Sequence, residues 1–173
     1  MQKTVEDFMK NQCVITKKHL TPEISLSILT PECPQYHLPL NTKQYDFEAP
    51  FWSIYWSGGQ GITRYLIDHI QQFSNLSCLD VGTGCGVSAI ALYLLGNNIK
   101  VVANDIDDDS LISARLNLEL NKLEYEQFSI NDTNEIEFNN KNYLLNQNLP
   151  ELANFDIFKG LLYLHWVSPK LYK

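Results

Sequence analysis

The run Leu79-Asp80-Val81-Gly82-Thr83-Gly84-Cys85-Gly86 constrains this chain more than any other feature. Residues 78–81 form a short apolar strand interrupted at Asp80. It breaks at three alternating glycines, which feed an apolar helix over Val87–Leu95. Glycine at such a strand-to-helix junction permits a tight turn and lets a ligand approach the backbone without meeting a Cβ. The spacing also separates cofactor classes. The dinucleotide fingerprint G-x-G-x-x-G needs its third glycine at position 87, which is Val87. The competing reading is a tight glycine turn with no ligand, and the complete strand, loop and helix context weighs against it.

A second unit of the same kind follows. Lys100–Asn104 reads as a strand, and beyond it Ser110 is placed to cap a helix whose Leu111, Ala114 and Leu118 face inward. Two successive βα units predict a parallel sheet and hence a Rossmann-like, doubly wound α/β fold. Asp105 stands at the tip of the second strand, where such folds bind ribose hydroxyls. A purely solvated role near the helix start is better served by Asp107, Asp108 and Asp109. Ile106 is placed to pack on an adenine face. Asp132, past a third strand predicted at 126–130, either accepts from the adenine amino group or is an ordinary loop acid. A fourth strand is predicted at 155–158. Between them, Ile136/Phe138 and Tyr143/Leu145 alternate around Asn139-Asn140, which predicts a β-hairpin insertion within 131–149.

Upstream, residues 1–50 read as an N-terminal extension without a strand series, a short helix followed by a connector carrying Pro22, Pro31, Pro34, Pro39 and Pro50. Residues 51–173 read as the sheet domain. It opens with the aromatic stretch PFWSIYW and a helix whose Ile62, Tyr65, Leu66 and Ile70 share one face.

At 173 residues and 45% hydrophobic content, a single domain with a real core is expected. Thirteen Lys and Arg against twenty Asp and Glu give a net charge of -7, which repels phosphate backbones and argues against a nucleic-acid partner held by charge. The same acidity suits a basic or lysine-presenting partner. Cys13, Cys33, Cys78 and Cys85 contain no C-x-x-C pair, so reduced thiols are expected. With four histidines, none of them four residues from another, no metal is expected. Cys85 has no His or Lys nearby in sequence to activate it and reads as a small space-filler. The apolar run Val87–Leu95 is far shorter than a membrane span, and no membrane partner is expected. The N-terminus lacks an apolar signal core and carries Glu6 and Asp7, which transit peptides usually avoid.

The G-x-G-x-G spacing with a preceding acid resembles motif I of the S-adenosylmethionine-dependent methyltransferases. That resemblance implies S-adenosyl-L-methionine as cofactor, with Gly82, Gly84 and Gly86 around its methionine and ribose portion and Asp80 holding its ammonium group. A carboxylate there suits a cation and opposes a pyrophosphate. The segments HLTPEISLSILTPECP, PFWSIYWSGGQGITRYLIDH, CLDVGTGCGVSAIA and VVANDIDDDSLISARLNLELNKL, across residues 19–123, resemble more narrowly the electron transfer flavoprotein β subunit lysine methyltransferase family.

The family implies a seven-stranded class I methyltransferase fold, a mitochondrial matrix location, and a protein substrate, the electron transfer flavoprotein β subunit. Within the related lysine methyltransferases the tryptophan before the first helix, here Trp56, lies near the cofactor; a core role is the alternative, since Trp52 and Tyr55 stand beside it. Methyl transfer to lysine requires a neutral amine, so the resemblance implies that the enzyme chiefly positions that amine, excludes water and favours loss of its proton. After the fourth strand the family continues with a glycine-aspartate element, a tyrosine and three more strands. Here the sequence reads FDIFKGLLYLHWVSPKLYK, in which Gly160 and Tyr163 echo the element without its acid. No catalytic residue is transferred, and a sheet lacking the C-terminal strands is expected. Two other functions share these features: a small-molecule methyltransferase, which needs motif I alone, and a non-catalytic cofactor-binding or interaction module.

Overall fold

The computed structural model describes residues 4–38, 50–105 and 107–122, together with the backbone of three further strands, Glu135–Phe138, Lys141–Asn146 and Leu161–His165. The first helix, α1 (Val5–Gln12), starts at a capping box in which the Thr4 hydroxyl accepts from the Asp7 amide and the Asp7 carboxylate accepts from the Thr4 amide. It is followed by β1 (Val14–Thr16) and β2 (Leu26–Ile28), paired antiparallel. The N-terminal segment thus contains strands where none were expected. Its alternation Ser25-Leu26-Ser27-Ile28 buries Leu26 and Ile28, a period-two signal partly hidden by the neighbouring prolines.

Next come α2 (Ser57–Asp68), β3 (Ser77–Val81), α3 (Val87–Leu95), β4 (Lys100–Asn104) and α4 (Asp108–Leu120). Leu66 of α2 is fully buried and Ile62 and Ile70 pack beside the core, but Tyr65 is exposed rather than on that face. At 100° per residue, Tyr65 points a quarter-turn away from Leu66. The cap of α4 is Asp107, whose side chain accepts from the Asp109 amide, and not Ser110, which is a buried residue of the first turn.

The main sheet has the order β5-β6-β4-β3-β7, with β5 (Glu135–Phe138), β6 (Lys141–Asn146) and β7 (Leu161–His165). β3 is parallel to both β4 and β7, and β4 is parallel to β6. The hairpin expected as an insertion is present as β5 antiparallel to β6, and it enters the sheet by placing β6 beside β4. The strands expected at 126–130 and 155–158 fall outside the described residues. The chain therefore leaves β3 on one side toward β4 and returns on the other side as β7. This reversal of strand order makes the carboxyl end of β3 a topological switch point, where open α/β sheets bind ligands.

The core explains why α3 is apolar nearly all round. Ala89, Ile90, Ala91 and Leu92 are fully buried, packed in one cluster with Leu66 of α2, Val101 and Ala103 of β4, and Leu26 and Ile28 of β2. Burying an aliphatic side chain of this size contributes about 1.5–3 kcal/mol. A second cluster joins Val5, Phe8 and Met9 of α1 to Leu29, Cys33 and Trp52, with Ile112 and Leu116 of α4 against it. The N-terminal segment thus shares both clusters with the elements around the sheet. No described helix is long and apolar enough to cross a membrane.

Candidate cofactor site

The glycine loop leaves β3 at the switch point with Gly82, Gly84 and Gly86 all at positive φ (70°, 54° and 80°), the region that only glycine adopts freely. Their further reasons differ. A Cβ on Gly86 would lie 2.7 Å from the Ala114 Cβ and 2.9 Å from its Cα, so this glycine allows α4 to pack on the loop. A Cβ on Gly84 would meet nothing closer than the Trp52 carbonyl oxygen at 3.9 Å, so its requirement is conformational and its backbone stays approachable.

Four of the loop's five amides are occupied within the chain. Gly82 and Thr83 both donate to the Asn104 carbonyl at the end of β4 (2.8 and 3.0 Å), Gly86 donates to the Thr83 carbonyl (2.9 Å), and Gly84 donates to Asp105 Oδ2 (3.0 Å). A phosphate cradle needs such amides free and turned toward the anion. Here they are spent on protein acceptors, and what the loop presents instead is negative charge.

Two acids supply that charge. Asp80, 6% exposed, accepts from the Thr83 hydroxyl at 2.8 Å. Burial pushes its carboxyl up from 3.8 to about 6, opposed by the Thr83 hydroxyl and the Ala89 amide in the first turn of α3 and reinforced by the Asp105 charge. Asp105, half-buried, has Oδ2 on the Gly84 amide and Oδ1 on the Asp107 amide at 3.1 Å. Burial also raises its pKa, against the pull of the Gly84 and Asp107 amides and the Ser110 hydroxyl. Each carboxylate oxygen has two lone pairs, so these amide bonds leave Asp105 capacity to accept from ligand hydroxyls. Both acids are less comfortable ionised than in water, and a cation beside the loop would relieve them. The residues present therefore fit a ligand that combines a positive group with hydroxyl donors.

Trp56 caps α2 with its ring half-buried, its Nε1 donating to the Phe51 carbonyl at 3.1 Å and its plane tilted on the Phe51 ring. The backbone of Trp52, from the same aromatic stretch, is what borders Gly84. Ile106 and Asp132 lie outside the described residues, so the adenine contacts expected of them have no geometry here. Cys85 is buried and its thiol is pushed up to about 12, chiefly by burial, as a space-filling residue requires.

Three contributors had no motif to mark them: the Thr83 hydroxyl, the Asn104 carbonyl, and Asn117 of α4, whose Nδ2 donates to the Cys85 carbonyl at 3.0 Å. The small or polar residues Ser110, Ala114, Asn117 and Asn121 recur every three or four positions along α4. That spacing is the one sequence signal that this helix face meets backbone rather than core. Among the described residues no cluster of His, Cys, Asp and Glu could hold a metal ion. Cys33 and His37 stand four apart in sequence, but His37 Nε2 bonds to the Pro31 carbonyl and Cys33 Sγ accepts from the Thr30 amide.

Comparison with known proteins bears on the same loop. The family model described as ribosomal protein L11 methyltransferase (PrmA) matches residues 61–149, just over half of the chain. The electron transfer flavoprotein beta subunit lysine methyltransferase of Danio rerio is 43% identical over 113 residues, covering 65% of this chain and 43% of that protein. The Homo sapiens protein of the same name is 38% identical over 120 residues, covering 69% of this chain and 45% of its own length. A solved structure, the ribosomal protein L11 methylase of Lactobacillus delbrueckii subsp. bulgaricus, is 28% identical with a TM-score of 0.37, covering 55% of this chain and 39% of that one. The matched part of the chain spans less than half the length of these curated relatives. A strand, an acid-flanked G-x-G-x-G loop, a helix and a second acid, Asp105, at the switch point thus coincide with the matched segment, and the chain belongs to the ribosomal protein L11 methyltransferase (PrmA) family, alongside the electron transfer flavoprotein β subunit lysine methyltransferases that it resembles.

Proposed function

We propose that this chain carries the S-adenosylmethionine-binding part of a protein-lysine N-methyltransferase whose substrate is the electron transfer flavoprotein β subunit, acting in the mitochondrial matrix. The observation that carries the cofactor assignment is Asp105 hydrogen-bonded to the Gly84 amide across the switch point, with Asp80 buried behind the same loop. A loop with four of its five amides already satisfied, and whose nearest charges are carboxylates, selects a cationic, hydroxylated ligand over a nucleotide phosphate. The substrate assignment rests on the relatives, which bear that activity in their names, and the location on the family resemblance of residues 19–123 alone.

S-adenosylmethionine supplies a methyl group on a sulfonium, open to in-line attack by a neutral amine. In this chain, Asp105 holds the ribose hydroxyls, Asp80 supplies counter-charge to the cofactor's positive groups, Gly84 gives close backbone approach, and Trp56 stands at the start of α2 as an apolar wall.

Titration calorimetry with S-adenosylmethionine tests the cofactor assignment. Asp105→Ala is expected to weaken binding by about 1–3 kcal/mol, the loss when hydroxyls part from a charged acceptor; unchanged affinity refutes the role. For the substrate, mass spectrometry after incubation is read on the flavoprotein β subunit, on ribosomal protein L11 and on a small amine. Methyl groups on either of the last two, with none on the flavoprotein, overturn the proposal.

A further inference from the structure

Three glycines within five residues leave the loop with little conformational preference of its own, so its shape depends on external contacts. On the β4 side these are the Asn104 carbonyl and Asp105. On the helix side the hydrogen bond comes from Asn117, which is fully buried on α4 and sits between two backbones. Its Nδ2 donates to the Cys85 carbonyl at 3.0 Å, and its Oδ1 accepts from the Ser27 amide of β2 at 2.7 Å. The orientation of the amide follows from the chemistry, since a flip would set N–H against N–H and oxygen against oxygen. One helical turn on, Asn121 grips only the residue that leads into β2: Oδ1 accepts from the Ser25 amide at 2.8 Å, and Nδ2 donates to the Ser25 carbonyl and the Asn117 carbonyl, both at 2.7 Å.

We infer that Asn117 is a positioning residue of the cofactor loop, and that through it the N-terminal hairpin is a working part of the cofactor site. The inference rests on reading the loop as an S-adenosylmethionine site. Asparagine suits the task because only a side chain with a donor and an acceptor on one short planar group can bond a carbonyl and an amide at once; alanine offers neither and aspartate lacks the donor. Movement of β2 would release Oδ1, and with it the aim of Nδ2 at the loop.

Asn121 provides a matched control, because Asn117→Ala and Asn121→Ala both remove a side-chain bond to β2 or the residue leading into it, but only the former frees the Cys85 carbonyl. Hydrogen exchange of the loop amides in the full chain, without cofactor, is expected to rise about tenfold in Asn117→Ala and to stay unchanged in Asn121→Ala, although both variants melt earlier. Affinity for S-adenosylmethionine is expected to follow the same split. Equal effects of the two variants on the loop, or unchanged exchange in Asn117→Ala, overturn the inference. If the exchange split is found while the unaltered chain fails to bind S-adenosylmethionine, the cofactor reading falls and the clamp stands. The unaltered chain gives a second test should Asn117→Ala fail to fold: added S-adenosylmethionine is expected to slow exchange at Ser27 as well as in the loop, and protection confined to the loop overturns the coupling.

Discussion

Gly86→Ala isolates what the loop owes to α4. The substitution carries two costs that the structure separates. At φ 80° an alanine sits in the left-handed region, which costs an L-residue about 1–2 kcal/mol. Its Cβ would also lie 2.7 Å from the Ala114 Cβ and 2.9 Å from the Ala114 Cα, neither of which is a flexible side-chain end. Overpacking of that kind costs roughly 1–3 kcal/mol. The sum, about 2–5 kcal/mol, is a large part of the stability of an ordinary domain. Gly84→Ala carries the first cost alone, because its Cβ would find ordinary contact distance at 3.9 Å. Urea unfolding followed by circular dichroism should therefore rank Gly86→Ala well below Gly84→Ala. A double-mutant cycle with Ala114→Gly removes the 2.7 Å contact but leaves the backbone one, so it should restore part of the overpacking loss and none of the dihedral cost. Gly86→Ala within about 0.5 kcal/mol of the unaltered chain, which is the range of ordinary surface substitutions, would refute the packing of α4 on the loop.

Two further predictions concern titration and reactivity. Because the folded pKa of Asp80 is raised from 3.8 to about 6, the folded state holds a proton that the unfolded chain releases, so stability from this group is full below pH 3.8 and is lost as pH rises through about 6; roughly 3 kcal/mol separates the limits, and Asp80→Asn should flatten that part of the pH profile. A bound cation favours the ionised form, so affinity for S-adenosylmethionine should strengthen as pH rises toward about 6, and a pH-independent binding constant would remove Asp80 from the site. Cys85, buried with its thiol raised to about 12, should resist a thiol-specific reagent in the folded chain and react only on unfolding; rapid native labelling at Cys85 would contradict its packing.

Where periodicity and punctuation agreed, the sequence was legible to the residue. The helix Val87–Leu95 and the strand Lys100–Asn104 occupy the predicted positions because glycine or acid boundaries flank a mainly apolar stretch. Asp105 was readable for the same reason, being the first charge after a buried strand. The β1–β2 hairpin was not, because its strands are three residues each and lie among prolines that argue for a connector. The cap of α4 was ambiguous among successive acids and a serine, and side-chain geometry chose Asp107. Asn117 was harder to read: the recurrence of small or polar residues along α4 marks the face, but nothing local says that this asparagine will meet two backbones distant in sequence.

The two acids, alike in sequence, divide the work once their surroundings are compared. Asp80 is almost fully covered, bonded to the Thr83 hydroxyl and drawn by the Ala89 amide at the positive end of α3, so its carboxylate is already committed to the junction between strand and helix. A ligand feels it mainly as charge through the loop, and its influence should be strongest in the pH dependence of binding. Asp105 is half-buried and accepts from the Gly84 and Asp107 amides and the Ser110 hydroxyl, which together leave it spare lone-pair capacity. Under the proposed cofactor reading, direct contact therefore falls to Asp105. The Gly84 amide that holds it belongs to the same loop that Asn117 bonds from the other side, so the orientation of Asp105 and the packing of the N-terminal hairpin meet in one stretch of five residues.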